Sequence, residues 1–138
     1  MMSTLMQLNE VKEEFIQSPY VQHLGIQITK FEEGDVQAKL AVHKSLLNFS
    51  ETVNGGVIAS VLDIIQSMQL RSVIKKRCLT VNLNINYIAP IMTETIYAEA
   101  TITSKTYNTA FMEGVIKDAN GNIISTATGV FKILHEKN

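Results

Sequence analysis

Between Thr52 and Leu70 the sequence reads TVNGGVIASVLDIIQSMQL, and Asp63 is the one ionisable residue in that run. A carboxylate buried without partners costs several kcal/mol, so an aspartate among aliphatic residues needs a purpose. Asn54 is a strong helix N-cap, which makes Gly55 and Gly56 the first helical turn. Glycine costs about 1 kcal/mol against alanine inside a helix, so two in succession need a reason. One reason is open access to the free N–H groups of that turn, which carry the positive end of the helix dipole and suit a developing oxyanion. The other is close packing of the turn against a strand. Asp63 follows Asn54 by nine residues, about two and a half turns. Ser60 and Ser67 flank it at i−3 and i+4, giving that face a small polar stripe. Such a carboxylate suits a general base acting on water; equally, it suits a structural aspartate paired across a subunit interface.

These residues need elements to position them. Leu5, Leu8, Val11, Phe15 and Ile16 fall at helical spacing, which predicts a helix over 5–17 stopped by Ser18-Pro19. Two alternating runs around EEGD predict a hairpin with strands near 25–32 and 35–42. A loop over 43–53 leads into a helix from about Asn54 to Lys75. After it the period becomes two: Leu79, Val81, Leu83, Ile85 and Tyr87 are expected on one face, and Thr80, Asn82, Asn84 and Asn86 on the other. Pro90 ends that strand. TIYAEATITSK, TAFMEGVIKD and IISTATGVFKIL supply three more strands, joined by TYN and NGN turns. Tight turns make these antiparallel, so the class is α+β. The long helix is apolar through its first half, so the sheet must wrap it or a second subunit must cover it.

Composition narrows the function. At 138 residues the chain suits one domain, 1–138. A net charge of −1 gives no electrostatic reason to expect nucleic acid. The KKR cluster at 75–77 suits a solvated helix end; Lys76 is also the candidate contact for phosphate groups of a ligand. Cys78 is the sole cysteine, so no internal disulfide forms, and it reads as a packing residue. No charged-then-apolar leader opens the sequence, and the Asn, Ser, Asp and Gln in the apolar run argue against a membrane span. A cytoplasmic protein is expected. His23, His43 and His135 read as surface residues, and no metal-ligand spacing is present, so no metal is expected.

Taken together, Asn48, NGGVIASVLD and LTVNLNINYIAP resemble the PaaI-like acyl-CoA thioesterases of the hotdog-fold superfamily, over essentially the whole chain. The resemblance implies a curved antiparallel sheet wrapped around a long central helix. It implies homodimers through sheet edges, assembling further to homotetramers, with active sites between subunits. Asp63 then matches the catalytic carboxylate, either as general base for water or as nucleophile. Gly55, with Gly56 beside it, matches the helix N-terminus that polarises the thioester carbonyl. Asn48 matches a residue that places the carbonyl or the water, and Thr80 a hydroxyl near the water. Asn54, Gly56 and Ser67 fall beside the substrate. Many members have histidine where this chain has Asn54, which hydrogen-bonds and caps well but does not titrate near neutral pH. The implied substrate is an acyl group on coenzyme A or acyl carrier protein, with no separate cofactor. Tyr20, Phe49, Met68 and Met92 are candidate wall residues. Two rivals stand beside this reading: a non-catalytic acyl-CoA-binding protein, and a hotdog dehydratase, disfavoured because it would pair a histidine with the carboxylate.

Overall fold

The computed structural model describes residues 5–135. Helix α1 spans Leu8–Gln17 and α2 spans Pro19–Leu24; strands β1 (Ile26–Glu32) and β2 (Asp35–Ala41) form the first hairpin. The central helix α3 covers Gly55–Ile74, followed by β3 (Cys78–Tyr87), β4 (Thr95–Lys105), β5 (Thr109–Lys117) and β6 (Ile123–Ile133). Helix α2 is absent from the expected elements. Ser18-Pro19 ends α1 as expected, but the same pair starts a second helix, because Ser18 Oγ accepts from Val21 N–H and Pro19 sits in the first turn. Gly25, with φ of +86°, then turns the chain into β1.

The six strands form one antiparallel sheet in the order β1-β2-β4-β5-β6-β3. It curves around α3, as the resemblance implied. Val36, Ala38 and Leu40 from β2, Ile96 and Ala98 from β4, and Ile116 from β5 meet Ile58, Val61, Leu62 and Ile65 of the helix in one buried cluster. By length and composition alone α3 could cross a membrane, with a mean hydropathy of 1.4 in its richest window, so its few polar residues do not by themselves argue against a span. Instead 61% of that window is buried within the protein, which marks a core helix.

The second half of α3 is the more enclosed. Gln66, Met68, Gln69, Leu70, Arg71 and Ser72 are all buried, whereas Gly56, Val57, Ala59, Ser60, Asp63, Ile64 and Ser67 keep part of their surface. Within one chain the sheet covers one side of the first half and leaves a stripe open, so of the two expected covers, sheet or second subunit, the sheet supplies only part. Arg71 is held by Glu14 of α1 at 2.7 Å and lies over the Phe15 ring at 5.3 Å, so α1 is clamped across the helix end.

Strand β3 lies at the sheet edge, and its pairing with β6 slips between Thr80 and Asn82. Before the slip Cys78 and Thr80 face α3; after it Leu83, Ile85 and Tyr87 do. The single apolar face expected for this strand is thus split, and Leu79 and Val81 are 56% and 64% exposed. A β-bulge inserts one residue and reverses the alternation without changing composition, so period counting misses it.

Candidate functional site

The start of α3 is set by a short loop. Asn48 Oδ1 accepts from Ser50 N–H (2.8 Å) and Thr52 N–H (3.2 Å), and its amide Nδ2 donates to Thr52 Oγ1 (3.0 Å). Asn54 N–H donates to Leu46 O, which fixes where the helix begins. Asn48 therefore shapes the loop that delivers the helix, and its acceptor oxygen is already occupied.

The two glycines divide their roles. Gly56 N–H donates to Asn54 Oδ1 at 2.8 Å, so the cap consumes the donor expected to face substrate. A Cβ on Gly56 would lie 3.1 Å from that same oxygen, which explains the glycine there through the cap. Gly55 differs. A Cβ there would meet the Tyr87 ring at 3.5 Å, ordinary contact, so packing does not demand glycine. Its N–H is one of the helix's orphan donors and has no partner among the described residues. Tyr87 OH donates to Gly55 O at 3.0 Å and ties the turn to β3.

Asp63 is half-buried on the open stripe, and Thr80 Oγ1 donates to its Oδ1 at 2.7 Å. The bulge in β3 is what turns Thr80 toward the helix together with the strand's later apolar residues. The helix serines are used elsewhere. Ser60 Oγ donates to Gly56 O (2.8 Å), so Tyr20 OH donates to Ser60 Oγ (2.7 Å). Ser67 Oγ lies 3.5 Å from Cys78 Sγ. The carboxylate is thus held by a strand hydroxyl, not by the serine stripe. Burial pushes the Cys78 thiol up, which keeps it protonated and fits its reading as a packing residue.

Other candidates are scattered. Met68 is fully buried in the core, so it is no wall residue, whereas Phe49 and Met92 are exposed. Tyr20 does reach the open stripe, carried there by α2, and the Ser-Pro pair before it was the signal for that helix. In the basic cluster Lys75 pairs with Glu33 and Arg77 with Glu14. Lys76 Nζ donates to His135 Nδ1 (2.8 Å), so His135 Nε2–H donates to Tyr107 O, and the His135 and Tyr107 rings stack. His43 Nδ1 meets Ser45 Oγ. Among the described residues no cluster of histidine, cysteine and carboxylates suits a metal ion.

On the open stripe of α3, Gly55 N–H and the Asp63 carboxylate keep unspent hydrogen-bonding capacity. Eight residues separate them, about 12 Å along the axis. A general base must lie within about 3 Å of the proton it takes, directly or through one water. That rise is long for one carbonyl to meet both groups of a single chain.

The sequence profile of the thioesterase superfamily matches residues 51–125, a stretch holding Gly55, Asp63 and Thr80. Over 127 residues the chain is 24% identical to a protein of Thermoplasma acidophilum named "putative esterase", covering 90% of this chain and 95% of that one. Its structure superposes on the PaaI protein of the phenylacetic acid degradation operon of E. coli with a TM-score of 0.85, at 17% identity, covering 95% and 99% of the two chains. An esterase-named protein of Mycobacterium tuberculosis gives a TM-score of 0.83 at 21% identity, covering 88% and 100%.

Proposed function

The profile match spans more than half of the chain, so the chain belongs to the thioesterase superfamily, and from that premise we propose that it is an acyl-CoA thioesterase whose working site is shared by two copies. Membership supports thioester hydrolysis as the reaction type. The observation that carries the finer reading is Asp63, a half-buried carboxylate with one hydroxyl donor and one oxygen to spare. That oxygen takes a proton from water, which attacks the thioester carbonyl carbon while Thr80 fixes the carboxylate's orientation. Negative charge then builds on the carbonyl oxygen and is met by Gly55 N–H, aligned with the helix dipole. Collapse of the tetrahedral intermediate breaks the C–S bond and expels the thiolate of coenzyme A, which takes the proton held by Asp63 and restores the base.

The rise of about 12 Å between their positions on the helix favours Gly55 from one copy acting with Asp63 from a second. The free edge of β3 and its exposed Leu79 and Val81 supply an apolar surface for such pairing. The experiment is a thiol-release assay over a panel of acyl-CoA esters with the oligomeric state measured in parallel. Turnover by a dimer or larger assembly is expected. Saturable binding without thiol release would instead make the protein an acyl-CoA carrier, the reading that Asn54, with its side chain spent on the helix cap, leaves open. A fully active monomer contradicts the shared site.

A further inference from the structure

Gln66 lies one turn beyond Asp63 on α3 and is 0% exposed. Neither its Nε2 nor its Oε1 has a hydrogen-bond partner among the described residues. Buried amides are almost always satisfied, and the other buried glutamine of this helix is: Gln69 accepts from Val36 N–H and donates to Gly34 O. The sheet makes room for the unsatisfied one. A Cβ on Gly129 of β6 would overlap Gln66 Oε1, and one on Gly114 of β5 would lie 3.0 Å from Nε2. Two mid-strand glycines weaken a sheet, so this amide is housed at a cost to the strands around it.

Its place relative to the chemistry is defined by the register. Thr80, the partner of Asp63, pairs with Phe131, and Gly129 lies two residues further along β6. One strand across and two residues along is about 8 Å. Between Thr80 and Leu83 the edge strand offers no inward side chain, because the bulge leaves Val81 and Asn82 exposed. Across the register from Thr80 stands Phe131, fully buried with its ring beside Gly129, so an acyl chain running inward from a carbonyl at Asp63 would have to follow that ring to meet the amide.

We propose that Gln66 is a specificity-determining residue that takes a hydroxyl or keto oxygen carried on the acyl chain several carbons from the thioester carbon. Its Nε2–H donates to that oxygen, and its Oε1 accepts when the group is a hydroxyl. This rests on the acyl-CoA reading above. Sites built to hydrogen-bond a substrate oxygen discriminate strongly against the analogue lacking it, because their own polar atoms are left unpaired.

The test compares ω-hydroxyhexanoyl-CoA with hexanoyl-CoA. In the parent protein kcat/KM is expected to favour the hydroxylated ester by at least about tenfold. In Gln66→Met, similar in volume and apolar, that ratio should fall toward one while the melting temperature holds or rises. A parent ratio near one overturns the proposal whether or not the variant folds, and so does a ratio unchanged in the variant. If neither ester releases thiol, the thioesterase reading fails on its own. The selectivity is then read from equilibrium binding of the same two esters, where the same ratio and the same collapse are required.

Discussion

The two halves of α3 use their polar residues in opposite ways. In the C-terminal half they staple the fold. Gln69 and Ser72 hold the backbone of the β1–β2 hairpin at Gly34 and Val36, and Arg71 joins Glu14 to the Lys76 carbonyl. In the N-terminal half Gly55 keeps a donor and Asp63 an acceptor, and both lie on a stripe the sheet leaves uncovered. One helix thus anchors the fold at one end and leaves hydrogen-bonding groups open at the other. Gln66 sits at the border, buried like the anchors and unpaired like the Gly55 N–H.

Substitutions that break this contrast should sort by half. Asp63→Asn keeps the shape and removes the proposed base, so turnover should drop by about 10²–10⁴-fold with an unchanged melting curve. Arg71→Met should do the reverse, losing about 1–3 kcal/mol in urea denaturation at nearly parent turnover, because Glu14 loses a partner and Phe15 a cation. Equal loss of activity in both variants would erase the distinction between the halves.

Next in size is Gly55→Pro. Proline removes the N–H, suits the first helical position, and follows a residue, Asn54, that is already extended with ψ of 134°. Turnover should fall by about 10²-fold with the fold intact, whereas Gly55→Ala, which keeps the N–H, should stay near the parent rate. Thr80→Val should cost about tenfold in kcat, since the carboxylate loses its one hydroxyl donor but keeps its charge.

The smallest effect lies at the anchor. Hydrogen bonding to Arg77 holds the Glu14 carboxyl below its ordinary value of 4.5, with Arg71 adding to the shift against a burial penalty. A depressed native value means the pair stabilises fully above the unfolded pKa and loses that contribution as pH falls through the native one. Glu14→Gln should therefore be less stable than the parent at pH 7, by about 1 kcal/mol or less. The gap should close in urea melts taken at progressively lower pH through the acid range. A gap that persists below the native pKa would show that Glu14 acts through packing instead.

Much of this was readable beforehand because the signals are local. Asn54 caps α3 as its side chain predicts, and the three C-terminal strands begin and end within a residue of their alternating runs. The meander β4-β5-β6 follows from its short turns. What escaped depends on pairing between distant segments. The bulge at Val81 is a property of the β3–β6 register, and the clamp of Glu14 on Arg71 joins residues 57 apart in sequence. That Ser67, Asn48 and Gly56 are spent within the fold follows from contacts that spacing alone does not encode. The Ser18-Pro19 pair stops one helix and starts the next, and the second role shows only in the fold.

The shared site is tested most directly by mixing two inactive variants. Gly55→Pro and Asp63→Asn chains are co-expressed with different tags, the doubly tagged assembly is purified, and acyl-CoA hydrolysis is measured. If Gly55 of one copy works with Asp63 of the other, each mixed dimer regains one intact site of two, and the activity should recover to about half that of the parent. Activity no higher than that of either variant alone would contradict a site built across two copies.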